Sequence, residues 1–336
     1  MPNATPTIAD KVTFLSRPES YPLGALRVEV RETHMSWVFL TGDRVYKLKK
    51  PVRYDYLDFS TLTARYRDSM DEVRLNRRLA GDVYIGLVPL SRHADGSLIL
   101  SAGAHEVDWL VEMRRLPADR MLDRLIAAGR VEDADLDRLG EVLARFFAGA
   151  ERVALSGDAY RARLGAEIDG NRSELTDPAF GLPRDLVERV TDRQRAVLAT
   201  DAGLFDARAT AGRIVEGHGD LRPEHVALLD TPVVIDCIEF NRDFRILDPA
   251  DEIAFLAMDS DRLGAPAVGP RVLAAYARMS GDAPPDGLFA FYRSHRATVR
   301  AKIAIWHNRE PDTADPAKWH RRALDYLRLA ERDLQG

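Results

Sequence analysis

The stretch His218-Gly219-Asp220-Leu221-Arg222-Pro223-Glu224-His225, followed by Val233-Val234-Ile235 and then Asp236, decides how this chain is read. It sets one aspartate in a short polar loop and a second at the end of a run apolar enough to be a buried strand. Phosphoryl transfer uses such a pair. One carboxylate orients the acceptor hydroxyl and takes its proton; the other holds the magnesium that bridges the nucleotide phosphates.

The spacing resembles the kinase catalytic loop, His-x-Asp-x-x-x-x-Asn, with a metal-holding Asp on the following hairpin. Gly219 stands where protein kinases carry Arg, and His225 where they carry Asn. With that glycine the run is similar to the small-molecule kinases of the aminoglycoside phosphotransferase type. The other expected parts follow in order. Ser36–Leu40 and Arg44–Lys49 are β-rich runs joined by Thr41-Gly42-Asp43, a hairpin signal. The resemblance puts a phosphate-binding lysine on the second strand. Lys47 and Lys49 share one face of it. Lys47 is preferred, because Val45 then supplies the small apolar contact for the adenine ring; with Lys49 that position would be another lysine. Glu72, on a helical pattern continued by Leu75 and Leu79, is the expected partner of the lysine. Val107–Met113 reads as the last strand before a hinge, with the backbone at Glu112 and Met113 meeting the adenine edge.

Thr33–Leu40, Lys47-Leu48-Lys49-Lys50-Pro51 and Asp236-Cys237-Ile238-Glu239-Phe240-Asn241 are similar to a bacterial group of aminoglycoside-phosphotransferase-like proteins, some of which also carry a P-loop ATPase domain. The resemblance covers roughly residues 25 to 305. This sequence has no Gly-Lys dipeptide, hence no Walker-type loop, and reads as the kinase-like part alone. The resemblance implies an α+β, two-lobed protein-kinase-like fold, with a small β-rich N-terminal lobe at 1–111 and a larger helical lobe at 112–336. It implies ATP with Mg2+, or Mn2+, as cofactors, and supplies no substrate.

Composition bounds the alternatives. The 336 residues are 46% hydrophobic and 30% charged, ordinary for a soluble chain of two lobes. A formal net charge of −5 argues against general nucleic-acid binding, which needs a dominant basic surface. Cys237 is the one cysteine, so neither a disulfide framework nor a cysteine-cluster zinc site is expected. Residues 1–22 lack the pattern of a signal peptide, and no run approaches the ~18 apolar residues of a membrane span, so a cytoplasmic location is expected. No feature indicates a protein partner. After the hinge, helical patterns dominate: a helix from Asp133 with Leu136, Leu139, Val142, Leu143, Phe146 and Phe147; one at 185–200; one begun by Asp248-Pro249; a long one at 287–308; and a last one from Trp319 to Leu334.

Roles follow from these placements. Lys47 would hold the phosphates, Glu72 would fix Lys47, Asp220 would orient the acceptor and Asp236 would bind the metal. His218 is expected to brace its loop and Glu252 to support that loop from below. Glu239 either helps the metal or finishes the hairpin. Two departures from the kinase pattern stand out. Arg31–Met35 replaces a glycine-rich loop, and His225 offers an imidazole where Asn offers a neutral oxygen. Imidazole suits borderline ions better than magnesium, so His225 is either a second metal ligand or packs in the loop. For the acceptor, Tyr292, Arg296 and Arg300 recur at i, i+4, i+8 on one helix face, with Arg222, Arg242 and Arg245 near the catalytic segments. Arginines held inward suit an anionic acceptor and disfavour a polycationic one. The expected function is ATP-dependent phosphorylation of a hydroxyl on a small molecule. The rivals are a silent nucleotide-binding module and a nucleotidyl transferase.

Overall fold

The computed structural model describes residues 5–22, 24–54, 57–103, 105–309 and 315–335. The chain divides into two compact units: 1–118 with 233–243, and 119–232 with 244–336. The expected border at 111 therefore falls at 118, and the first unit takes back the segment that carries Asp236. A single cut along the sequence cannot show such a return, because it depends on contacts between residues far apart in the chain.

The first unit is built on a six-stranded antiparallel sheet of order β1-β2-β3-β8-β6-β7. Its strands are β1 (Val28–Glu32), β2 (Ser36–Thr41), β3 (Arg44–Lys49), β6 (Tyr84–Arg92), β7 (Leu98–Leu100) and β8 (His105–Arg114). A small pair, β4 (Arg53–Tyr54) and β5 (Leu57–Asp58), precedes the helix. Gly42 makes the β2–β3 hairpin with φ +49, a conformation that costs other residues strain. Side chains on β3 alternate. Tyr46 and Leu48 enter a core with Leu15, Tyr21, Phe39, Leu90, Leu100 and Leu110, so Val45, Lys47 and Lys49 face the other side. That side is covered by α2 (Leu62–Ala80), capped by the Thr61 hydroxyl and packed through Val73 and Ala80 on Val83, Tyr84, Val111 and Met113. The N-terminal helix α1 (Ile8–Leu15) closes the first core; its Lys11 meets Asp108 at 2.7 Å, and Arg65 of α2 grips the same carboxylate.

The register corrects one expectation. Glu112 and Met113 pair with β3 (Tyr46↔Glu112, Val45↔Met113) and also with β6 (Gly86↔Glu112, Tyr84↔Met113). The sheet occupies both sides of β8 here, so this backbone does not wait for an adenine edge. Pairing with β6 ends at Met113, and pairing with β3 runs on to Arg114.

The second unit is mostly helical: α3 (Leu122–Ala127), α4 (Asp133–Gly149), α5 (Gly157–Leu175), α6 (Arg184–Thr200), α7 (Ala202–Thr210), α8 (Pro249–Arg262), α9 (Val268–Ser280), α10 (Asp286–Trp306) and α11 (Pro316–Asp333). Helix α8 is buried along most of its length and packs against α10, which in turn packs on α11. Short strands β9 (Val215–Glu216) and β12 (Ile246–Leu247) pair and bracket the catalytic-loop sequence; β10 is Val226–Ala227, and β11 (Val233–Val234) lies in the first unit. A buried ion cluster, Arg208 with Asp248 and Asp282, pins the start of α8. No helix among the described residues is long and apolar enough to cross a membrane.

Candidate active site

Two clusters of chemically capable side chains stand out, one in each unit. In the first unit, β3 presents Lys47 toward α2. Its Nζ lies 2.9 Å from Glu72 Oε1 and 2.9 Å from Asp236 Oδ1. The structure thus brings together Lys47, Glu72 and Asp236, three residues spread over 189 positions of sequence. Burial alone would lower the Lys47 pKa; Asp236 and Glu72 more than offset it, and the ammonium stays charged. Burial would raise Glu72, but the two lysines hold it below the usual carboxylate range. Val45 sits two residues before Lys47, packed with Met113. The Glu112 side chain is turned elsewhere, to Tyr46 at 3.2 Å and Arg44 at 3.4 Å.

Asp236 is the one non-glycine residue with positive φ (+64) among the described residues. Its side chain is 47% exposed. An aspartate in this region is uncommon, and such strain persists only where neighbours enforce it. Here the Tyr84 hydroxyl meets the Asp236 amide at 3.2 Å, and Asn76 of α2 accepts from the Cys237 amide at 2.9 Å. Cys237 is buried, its Sγ 3.3 Å from Arg78. Lys49 reaches Glu72 as well, together with Glu239 and Asp68.

In the second unit the loop at 217–225 is fixed by its backbone. Glu252, on α8, accepts hydrogen bonds from the amides of His218 (2.8 Å) and Gly219. Gly217 must be glycine because a Cβ would lie 2.7 Å from Glu252 Oε2 and 2.9 Å from Leu247; Gly219 has φ +90. His218 Nδ1 accepts from the Asp220 amide at 3.2 Å, the bracing role expected of it. Burial pushes Glu252 up to about 7, the two amide bonds opposing it. For Asp220 burial also pushes upward, but Arg222, His225 and Arg300 outweigh it and keep the carboxylate below its ordinary pKa. At neutral pH Asp220 is an ionised hydrogen-bond acceptor.

Several expected roles change in this unit. Arg222 does not wait for a substrate: it is buried, 2.9 Å from Asp220 Oδ1 and 2.6 Å from Glu224. Arg245 pairs with Glu216 at 2.9 Å. Arg296 is held by Asp251 (Nε–Oδ1 2.7 Å, Nη2–Oδ2 2.5 Å) and lies 5.2 Å from the Phe255 ring. The Tyr292 hydroxyl meets Tyr160 and Asp248. The helix face of Tyr292 and Arg296 does point inward, as its spacing suggests, but acids on neighbouring helices already satisfy it. Arg300 differs. Its Nε is buried with no hydrogen-bond partner among the described residues, and its guanidinium lies 5.8 Å from the Tyr326 ring. Arg242 is exposed and belongs to the first unit.

His225 as a metal ligand is likewise corrected. Its Nδ1 is 2.9 Å from the Asp220 carbonyl, which can only accept, so Nδ1 carries the proton. The Nε2 lone pair then faces Arg222 Nη2 at 3.3 Å, a donor that only donates. A ligating imidazole needs that lone pair. Among the described residues no group of three or more His, Cys, Asp or Glu is arranged to hold a metal ion. Sequence reasoning passed over Lys49 with Asp68, the Arg222–Asp220 pair and the Arg296–Asp251 pair. The i, i+4 spacing of Asp68 and Glu72 was the available signal for the first.

No protein-family model matches the chain. Uncharacterized proteins of Mycobacterium tuberculosis and Mycobacterium bovis are 36% identical over 300 residues, 87% of this chain and 58% of theirs. The chain thus spans well under two thirds of the curated relatives it matches. Among solved structures, the GDP complex of a wild-type aminoglycoside 2'-phosphotransferase has a TM-score of 0.54 at 17% identity, covering 97% of this chain and 99% of that one. A choline/ethanolamine kinase family protein from Mesorhizobium loti has a TM-score of 0.54 at 14% identity, covering 97% of this chain and all of the other. A choline kinase from Cryptosporidium parvum has 0.55 at 8% identity, covering 96% and 94%. At these identities the likeness speaks of fold, and the chain has the α+β aminoglycoside-phosphotransferase and protein-kinase-like fold.

Proposed function

We propose that this protein is an ATP-dependent phosphotransferase acting on a hydroxyl of a small molecule. The observation that carries the reading is Lys47, with Glu72 and a strained, half-exposed Asp236 both 2.9 Å from its Nζ. Lys47 takes the nucleotide phosphates, Glu72 holds Lys47, and Asp220 orients the acceptor hydroxyl. Asp220 works as an acceptor of the hydroxyl hydrogen bond, since its lowered pKa makes it a weak base. Asp236 fits Mg2+, and Mn2+ equally: it offers a hard, accessible carboxylate, and magnesium in such sites is held by one or two carboxylates plus substrate phosphates. When bound, the ion would neutralise charge on the phosphates. His225 and Arg222 brace Asp220. Arg300, with its buried Nε, is the cation assigned to an anionic group on the acceptor, and Arg242 is assigned to it more loosely.

The solved neighbours are described as aminoglycoside and choline or ethanolamine kinases, and two of them hold GDP, so GTP is the nucleotide to compare with ATP. The test is thermal stabilisation by Mg-ATP and Mg-GTP, followed by intact mass after incubation with ATP and a panel of hydroxyl metabolites. A phosphate increment on a metabolite supports the reading. An AMP increment on protein or metabolite would assign nucleotidyl transfer, binding without turnover a silent module, and no stabilisation at millimolar nucleotide would remove the kinase reading altogether.

A further inference from the structure

Lys49 lies two residues beyond the proposed phosphate lysine, on the same face of β3, with its side chain 1% exposed. Its Nζ is 2.7 Å from Glu72 Oε2, 2.5 Å from Glu239 Oε1 and 2.6 Å from Asp68 Oδ2. Two of the ammonium's N–H donors make hydrogen bonds, to Glu72 and Glu239, and Asp68 lies beside the same charge as an ion pair. Lys47 contacts two carboxylates instead of three and is more accessible, at 16%. Glu72 is split between the lysines, Oε1 on Lys47 and Oε2 on Lys49. Asp68 and Glu72 stand one turn apart on α2, so Lys49 grips that helix at two points. Glu239 lies three residues past Asp236, so the same nitrogen also holds the segment that carries the proposed metal aspartate. Two lysines face four carboxylates; burial pushes Glu239 up to about 7 and raises Asp68, with Lys49 opposing both shifts.

We infer that Lys49 is a positioning residue that ties α2 and the 236–240 segment to β3. Lys47 can then exchange Asp236 for phosphate without either element shifting. The inference rests on the phosphotransferase reading for its consequence in turnover, but the tie itself can be tested without nucleotide. The closing experiment compares Lys49→Met, Lys47→Met and the charge-compensated Lys49→Met/Asp68→Asn/Glu239→Gln. The last removes the surplus acid, so that a folded protein lacking the ammonium is in hand. Amide exchange is followed at 236–240 and along α2, with Mg-ATP stabilisation and turnover read in parallel.

Both Lys49 variants should exchange faster in these two segments than wild type. They should keep nucleotide stabilisation, while turnover or metal affinity falls about 10–100-fold, as is usual when a supporting contact is removed. Lys47→Met should lose nucleotide stabilisation. Wild-type exchange in the compensated variant overturns the inference. So does loss of nucleotide binding in Lys49→Met as complete as in Lys47→Met with exchange unchanged, which would make Lys49 a phosphate ligand. Should wild type ignore Mg-ATP, the phosphotransferase reading falls, while the exchange comparison still decides whether Lys49 is the tie.

Discussion

Arg296→Ala separates a substrate contact from an internal brace. Arg296 and Asp251 form a two-pronged pair between α10 and α8, with side chains 13% and 4% exposed. Removing the guanidinium leaves Asp251 buried without its main partner, a change that costs about 3–5 kcal/mol when one member of a buried pair is deleted. The contact with Phe255 adds about 0.5–2 kcal/mol. For a unit of this size, each kcal/mol moves the melting temperature by about 2–4 °C, so a fall of about 7–28 °C is expected. Replacing both members, Arg296→Met with Asp251→Leu, removes the unpaired charge and should recover most of that loss. The assay is a double-mutant cycle by calorimetry, with amide exchange in α8 and α10 confirming that the second unit is the one weakened. A melting temperature within about 2 °C of wild type in Arg296→Ala, with loss of the response to an acceptor, would refute the brace and return Arg296 to the substrate.

Asp220→Ala should lower turnover on the order of 10²–10⁴-fold while Mg-ATP stabilisation stays, because the residue serves the acceptor; loss of nucleotide binding in a folded variant would mean the loop has been misassigned. His225→Phe should weaken the second unit by about 1–3 kcal/mol by stranding the half-buried Asp220 carbonyl, with His225→Asn costing less. Neither variant should change the preference between Mg2+ and Mn2+, so a shifted ion preference in His225→Asn would show that the imidazole ligates. Glu252 gives a pH test. Its folded pKa, about 7, lies above the unfolded 4.5, so its contribution is full below 4.5 and is lost as pH rises through 7. That window is worth ~3 kcal/mol, and Glu252→Gln should lack it; parallel stability–pH curves for the two proteins would exclude the effect.

The local chemistry was legible in the chain. The hairpin at Thr41-Gly42-Asp43, the alternation along β3 and the helix of Glu72 follow from short-range rules, and the structure places those elements accordingly; the order from Lys47 to Asp236 came from the resemblance to the kinase pattern. Helix α5 was passed over although Ser156 caps it and Tyr160, Leu164, Ile168 and Leu175 supply its buried side, because charged residues between them dilute the apolar pattern. What the sequence could not decide is which acid meets which base. Arg296 and Arg300, at i+4 and i+8 from Tyr292, look alike, yet Arg296 faces Asp251 and Arg300 keeps a buried nitrogen without a hydrogen-bond partner. Lys47 and Lys49 look alike too. Only the packing of α2 and the return of 233–243 show that Lys49 is buried among three carboxylates while Lys47, more accessible, lies between two. Periodicity fixes the face of an element on which a charge lies; pairing depends on the element packed opposite, which long-range tertiary contacts alone specify.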